Sequence, residues 1–201
     1  MKLRHLLLAA SLAFTSAPAM ASPAIPLADP SPYFLDSSTV VQVVCTESLG
    51  TAFYIGQGLY ITAKHVAVEA GCTIHEKPIR VIVLGPKRND FAMITAEYYP
   101  SYRAIISCDP FIEGHRYFAT GYAAGRPWSV TDRLIASNDH FVEDAPWFNT
   151  TILRGSFTAG QSGGPVSDED GVVHGIVSAG PTDGETTALT LAFHDTSICK
   201  K

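Results

Sequence analysis

The chain has 201 residues, 46% of them hydrophobic, with 14 basic and 19 acidic side chains and a formal net charge of −5. No run of basic residues interrupts this acidic balance, which argues against nucleic acid and anionic membranes as partners. The length suits one large domain or two small ones.

The first segment reads as a leader rather than as part of a fold. Lys2 and Arg4 precede an apolar run over 6–14, and small residues follow down to Ala19-Met20-Ala21. That is the layout of a secretory signal peptide, so 1–21 are expected to be cleaved and the protein to be secreted, to a periplasm or beyond the cell. Cleavage would move the net charge from −5 to −7 and leave 180 residues starting at Ser22. No other apolar stretch is long enough to cross a bilayer, so no membrane association is expected after cleavage. Export implies an oxidising compartment, where Cys45, Cys72, Cys108 and Cys199 are expected to form two disulfides. None lies in a C-x-x-C pair, so no metal is expected, and three connectivities remain open.

Residues 22–38 carry Pro23, Pro26, Pro30 and Pro32 and read as an extended lead-in. Short apolar runs rich in Val, Ile, Thr, Tyr and Phe follow, separated by Gly, Asn and Asp. They cover 39–45, 51–55, 59–62, 79–84 and 91–95, then 117–120, 130–136, 149–153, 172–178 and 187–192. Such runs predict strands. A short helix is expected over 66–70, ended by Gly71. Long stretches with helical periodicity are missing. The chain therefore reads as all-β, in two groups of about six strands. Pro100 and Pro110 break the pattern between them, which divides the chain into 39–102 and 103–201.

The chemistry centres on "GQSGGPV", residues 160–166. A serine hydroxyl is a poor nucleophile at neutral pH and needs a general base, usually histidine, within hydrogen-bond reach. The base needs a carboxylate to fix its tautomer, and the developing oxyanion needs N–H donors. Glycines around Ser162 permit the sharp turn that aims the N–H groups of Gly160 and Ser162 inward. His65 is the best base, since it follows directly on an apolar strand in "TAKHV". Asp90 is the best carboxylate. It stands in "NDFAMI", before a run that looks buried, where an ionised acid needs a partner. Asp109, Asp132, Asp139 and Asp144 sit in polar, turn-like text and fit less well.

Gly160-x-Ser162-x-Gly164 also fits the nucleophile elbow of α/β-hydrolases. That fold places its acid and histidine after the serine, and only 39 residues follow Ser162. The order His65, Asp90, Ser162 matches the chymotrypsin arrangement instead.

Through "TAKHV", "NDFAMI", "GQSGGPV" and "HGIVSAG" (174–180), in that order, the sequence resembles the chymotrypsin-fold, trypsin-like serine proteases. The resemblance implies two six-stranded antiparallel β-barrels with the active site in the cleft between them. It makes His65 and Asp90 residues of the first barrel and Ser162 the nucleophile of the second, with Gly160 and Ser162 forming the oxyanion hole. Ser178 and Gly180 would bind an extended peptide along a strand edge. Ser156 would lie near the floor of the primary pocket, where no acid stands to favour Arg or Lys. The resemblance also suggests Cys45–Cys72 as a staple on the His65 segment, and Cys108–Cys199 as a tie from the barrel junction to the tail. Gln161 departs from digestive members, which carry an aspartate there to pair with a new N-terminus. Activation by that route is not expected, and the bacterial secreted type fits better. The reading is a monomeric secreted endopeptidase that acts on peptide or protein through an acyl-enzyme and requires no cofactor. Because the base must be neutral to accept a proton, activity is expected at neutral to mildly alkaline pH. The alternatives are a catalytically silent binding protein, or an esterase, on the same fold.

Overall fold

The computed structural model describes residues 35, 38–86, 89–125, 129–137, 151–154, 158–179, 187–193 and 196–199. The expected leader, most of the proline-rich segment, Ser156 and Gly180 lie outside them. The described chain is mostly β, with one four-residue helix, α1 (Lys64–Ala67).

The first half contains β1 (Val40–Val44), β2 (Leu49–Gly56), β3 (Leu59–Ala63), β4 (Thr73–Ile74), β5 (Lys77–Pro78), β6 (Arg80–Leu84) and β7 (Phe91–Thr95). They form one antiparallel sheet in the order β5-β4-β1-β2-β3-β7-β6. This corrects the expectation of a six-stranded barrel here: the sheet has seven strands. The seventh arises from an interruption. β5 and β6 are consecutive in the chain but occupy opposite ends of the sheet. Pro78 has no N–H to donate, and the Ile79 N–H goes to Cys72 O at 3.1 Å. β2 and β3 turn through Gln57 and Gly58, both at positive φ (56° and 74°). That is the mirror-image turn whose twist suits a two-residue hairpin, and a glycine takes its second position without strain.

The second half contains β8 (Arg116–Gly121), β9 (Ser129–Ser137), β10 (Thr151–Arg154), β11 (Pro165–Ser167), β12 (Val173–Ala179) and β13 (Thr187–Ala192). These close into a barrel in the order β10-β13-β12-β11-β8-β9. A short 3-10 turn, Ala123–Gly125, follows β8. The expected helix over 66–70 starts earlier, at Lys64, so His65 lies within its first turn rather than ahead of it.

The halves share a core. Val173, Ile176, Leu191 and Phe193 of the second half pack in one buried cluster with Phe53, Ile61, Phe91 and Ile94 of the first. The Phe193 ring lies 6.2 Å from Phe53 and 6.5 Å from Phe91. The connecting segment sews the two together: Ala104 N–H donates to Tyr54 O, and Ser107 N–H to Val173 O, at 2.8 and 2.9 Å. Two disulfides reinforce this, Cys45–Cys72 and Cys108–Cys199, with Cα atoms 3.9 and 5.6 Å apart. The second spans 91 residues and ties the junction to the C-terminal turn. Each contributes on the order of 2–4 kcal/mol.

Because Phe193 fills space between the halves, Phe193→Ala is expected to cost about 3–5 kcal/mol. Urea denaturation followed by fluorescence should show one cooperative transition moved to lower urea. A separate unfolding step for each half would contradict the shared core.

Candidate active site

The site starts from a buried charge. Asp90, only 1% exposed, ends the loop before β7. A carboxylate removed from water must be met by donors, and three converge on it. Oδ1 accepts the His65 N–H at 2.9 Å. Oδ2 accepts from His65 Nδ1 at 2.8 Å and from the Ser178 hydroxyl at 2.6 Å. The Asp90 carbonyl takes the Lys64 N–H at 2.9 Å. Asp90 thus satisfies two of the free N–H groups that open α1, where the preceding Ala63 offers no side-chain cap. This explains the early helix start. Lys64 turns its ammonium to Gly85 O at 2.9 Å and leaves the carboxylate to His65.

A carboxylate only accepts, so the neutral His65 ring carries its proton on Nδ1 and has its basic nitrogen at Nε2. His65 is 38% exposed at its side chain, so the ring reaches solvent.

The "GQSGGPV" loop is held against the same corner. The Gly163 N–H donates to Val177 O at 2.7 Å, and Ser162 O accepts the Thr51 N–H at 2.8 Å. Gly163 has φ +84°, and a Cβ there would stand 2.7 Å from Ala63 N, two residues before His65. Only glycine lets the strand of His65 and the loop of Ser162 approach this closely. The loop also orients its own peptides. The Ala159 carbonyl takes the Ala124 N–H at 2.6 Å, and the Gln161 carbonyl takes the Gly164 N–H at 2.9 Å. In a trans peptide the N–H points opposite to the carbonyl, so the Gly160 and Ser162 N–H groups are both directed away from these bonds. Among the described residues neither has an acceptor. Gln161 is buried, and its Oε1 takes the Thr158 N–H at 2.7 Å while its own N–H returns to Thr158 O at 3.1 Å. An uncharged side chain therefore closes this turn locally. Tyr122, whose phenol is pushed up by burial, donates to Val40 O at 3.2 Å and props the loop's far side.

Beside Gly160 lies a hollow of about 560 Å³, lined by residues 45–49, Ala124 and Ala159. His174 forms a second histidine–carboxylate pair, with Asp168 at 2.8 Å, which the sequence did not single out. The groove it lines holds Ile112, His115, Arg116, Tyr117 and three acids, but no hydroxyl or thiol nucleophile other than the phenol. Of the rival acids, Asp109 is exposed and takes the Ser107 hydroxyl at 3.0 Å. Asp139 and Asp144 lie outside the described residues. Ser178 was singled out for its strand edge, yet its hydroxyl is committed to Asp90. Thr51 was not singled out at all.

The family model of the trypsin-like peptidase domain matches residues 50–176. The serine proteases MT3772 and Rv3671c, from two strains of Mycobacterium tuberculosis, are each 25% identical to the chain over 194 residues. The match takes in 85% of this chain but only 49% of theirs, so the chain spans about half the length of these curated relatives. The crystal structure of the active form of the Rv3671c protease superposes with a TM-score of 0.62 at 22% identity, over 92% of this chain and 89% of that one. An HtrA-type protease, AlgW, solved with a tripeptide, gives 0.65 at 19% identity, over 78% of this chain and 56% of that one. These two likenesses establish the fold.

Since Gly163 must accept both a positive φ and a contact with Ala63, Gly163→Ala is expected to destabilise by about 1–3 kcal/mol or more. Thermal unfolding measures this. An unchanged midpoint would mean that the two segments are not packed as described.

Proposed function

The chain belongs to the trypsin-like peptidase family, and on that premise we propose that it is an exported serine endopeptidase. Ser162 is the nucleophile, His65 the general base and Asp90 the residue that orients it. The observation that carries this reading is the 2.8 Å contact between His65 Nδ1 and Asp90, which leaves Nε2 as the acceptor. Ser162 Oγ attacks the scissile carbonyl carbon and passes its proton to His65 Nε2. The tetrahedral oxyanion is met by the N–H groups of Gly160 and Ser162. On collapse, the C–N bond breaks and His65 returns the proton to the leaving amine. Water, deprotonated by His65, then attacks the acyl-enzyme, and Ser162 leaves with that proton.

An extended peptide is the fitting substrate, paired along the end of β12 near Ser178 and Gly180. The hollow beside Gly160, lined by residues 45–49 and no part of β12, suits the leaving-group portion. Ser156, placed near the pocket floor by the family resemblance, gives no charge to hold Arg or Lys. The two lobes are taken as 39–102 and 103–201. The leader layout of 1–21 and the two disulfides support export, with action as a monomer outside the cytoplasm. No helix among the described residues is long and apolar enough to cross a membrane.

Cleavage of a mixed peptide library by the purified protein, read by mass spectrometry, tests this. Wild type is expected to cut mainly after uncharged residues. Ser162→Ala should not cut measurably, and Asp90→Asn should lower kcat about 10⁴-fold. Cleavage that persists in Ser162→Ala would refute the mechanism, and cuts mainly after Arg or Lys would refute the pocket assignment.

A further inference from the structure

We propose that Thr51, a residue of β2 in the first half, is the positioning residue that aligns both peptides of the oxyanion hole. The proposal rests on the hydrolytic reading above. Thr51 is completely buried and touches neither His65 nor Asp90 by any hydrogen bond described. Its N–H and hydroxyl face the loop of Ser162 instead. Its N–H donates to Ser162 O at 2.8 Å. Its hydroxyl donates to Gly160 O at 2.7 Å and accepts the Tyr122 N–H at 3.0 Å. Its carbonyl takes the Thr62 hydroxyl at 2.7 Å, which anchors it in β3.

The directions of these bonds are forced. The Gly160 carbonyl can only accept, so the single Thr51 hydroxyl proton goes there. The oxygen's lone pair then faces Tyr122 N–H, which can only donate. One side chain therefore fixes two segments. The first is the Gly160–Gln161 peptide, held directly. The second is the 122–125 turn, held through Tyr122. That turn carries Ala124, whose N–H holds the Ala159 carbonyl at 2.6 Å. Ala159 and Gly160 share the peptide whose N–H enters the oxyanion hole. Peptides on both sides of the Gly160 Cα are thus pinned, one by Thr51 itself and one through Tyr122 and Ala124. Ser162, which supplies the other hole N–H, has its own carbonyl on the Thr51 N–H. Planarity fixes each held peptide as a unit, and the two units that Thr51 bonds, 160–161 and 162–163, flank the peptide that carries the Ser162 N–H on both sides. Ala124 sits at φ +47°, a left-handed conformation that alanine rarely adopts, so the turn depends on such external bonds. There is no slack nearby: a Cβ on Gly121 would stand 2.9 Å from the Thr51 hydroxyl and 3.3 Å from Gln161 Cα.

A residue that merely fills the core would affect stability and leave turnover alone. A residue that aligns the hole acts where charge develops, so its loss falls on kcat and not on KM. The test compares Thr51→Val, which keeps the shape and removes the hydroxyl, with Thr51→Ser, which keeps the hydroxyl. Each is assayed on a cleaved peptide and titrated with a peptide boronic acid, whose tetrahedral adduct presents an oxygen to the hole. Each is also labelled with 15N-glycine for amide spectra. Thr51→Val is expected to lower kcat about 10–100-fold with KM within about twofold, and to weaken the boronate in parallel. Its Gly160 and Gly163 amide signals should move while Gly58 stays. Thr51→Ser should keep kcat within about threefold of wild type and restore the signals. A Thr51→Val kcat within threefold of wild type, or equal losses in both variants, would overturn the proposal. If wild type cleaves nothing, the protease reading fails on its own. The glycine amides then still decide whether the clamp exists, and unmoved Gly160 signals in Thr51→Val overturn it.

Discussion

Everything around the site follows from burying one carboxylate. Asp90 is almost fully removed from water, which is costly unless donors replace the water. They come from three directions: the first turn of α1, the ring of His65, and the hydroxyl of Ser178. The first two belong to the first half and the third to β12 of the second. The charge is therefore satisfied only when both halves are in place. Supplying its donors and assembling the candidate site require the same contacts.

The loop of Ser162 answers a second constraint, close approach. Residues of β2 and β3 must contact the loop of Ser162 through backbone, because side chains would hold them apart. Gly163 supplies the missing volume, and Thr51 and Thr62 fill the seam with small hydroxyls that satisfy what they bury. The shared aromatic core of Phe53, Phe91 and Phe193 lies under this seam and holds the halves at that spacing. Fold and chemistry are linked here by geometry: the contacts that dock the halves also direct the Gly160 and Ser162 N–H groups.

Much of this was legible in the chain. The pairing of His65 with Asp90 was legible because each lies beside a short apolar strand, β3 and β7, in text that is unusual for its local chemistry. The short β-branched and aromatic runs read correctly as strands for β1, β2, β3, β6, β7, β8, β9, β10, β12 and β13. Three strands were missed, β4, β5 and β11, because two or three residues carry no periodic signal. The seven-stranded sheet was missed because the break at Pro78 and Ile79 is decided by a hydrogen bond from Ile79 N–H to Cys72 O, outside any strand. The start of α1 was misplaced for the same reason, since its cap comes from Asp90, 25 residues away. Thr51 reads locally as an ordinary β-strand threonine. Its bonds to residues 109 and 71 positions ahead exist only in three dimensions. Ser178 was noticed for its strand, yet its hydroxyl partner is again remote. Hydrogen bonds between distant segments leave no local pattern.

The central claim is that Ser162 is a nucleophile activated by His65. Reaction of the purified protein with a fluorophosphonate, followed by peptide mapping, tests it most directly. One phosphonyl group per chain on Ser162, lost in His65→Ala, is the expected result. Modification elsewhere, no modification of the wild type, or unchanged labelling in His65→Ala would contradict it.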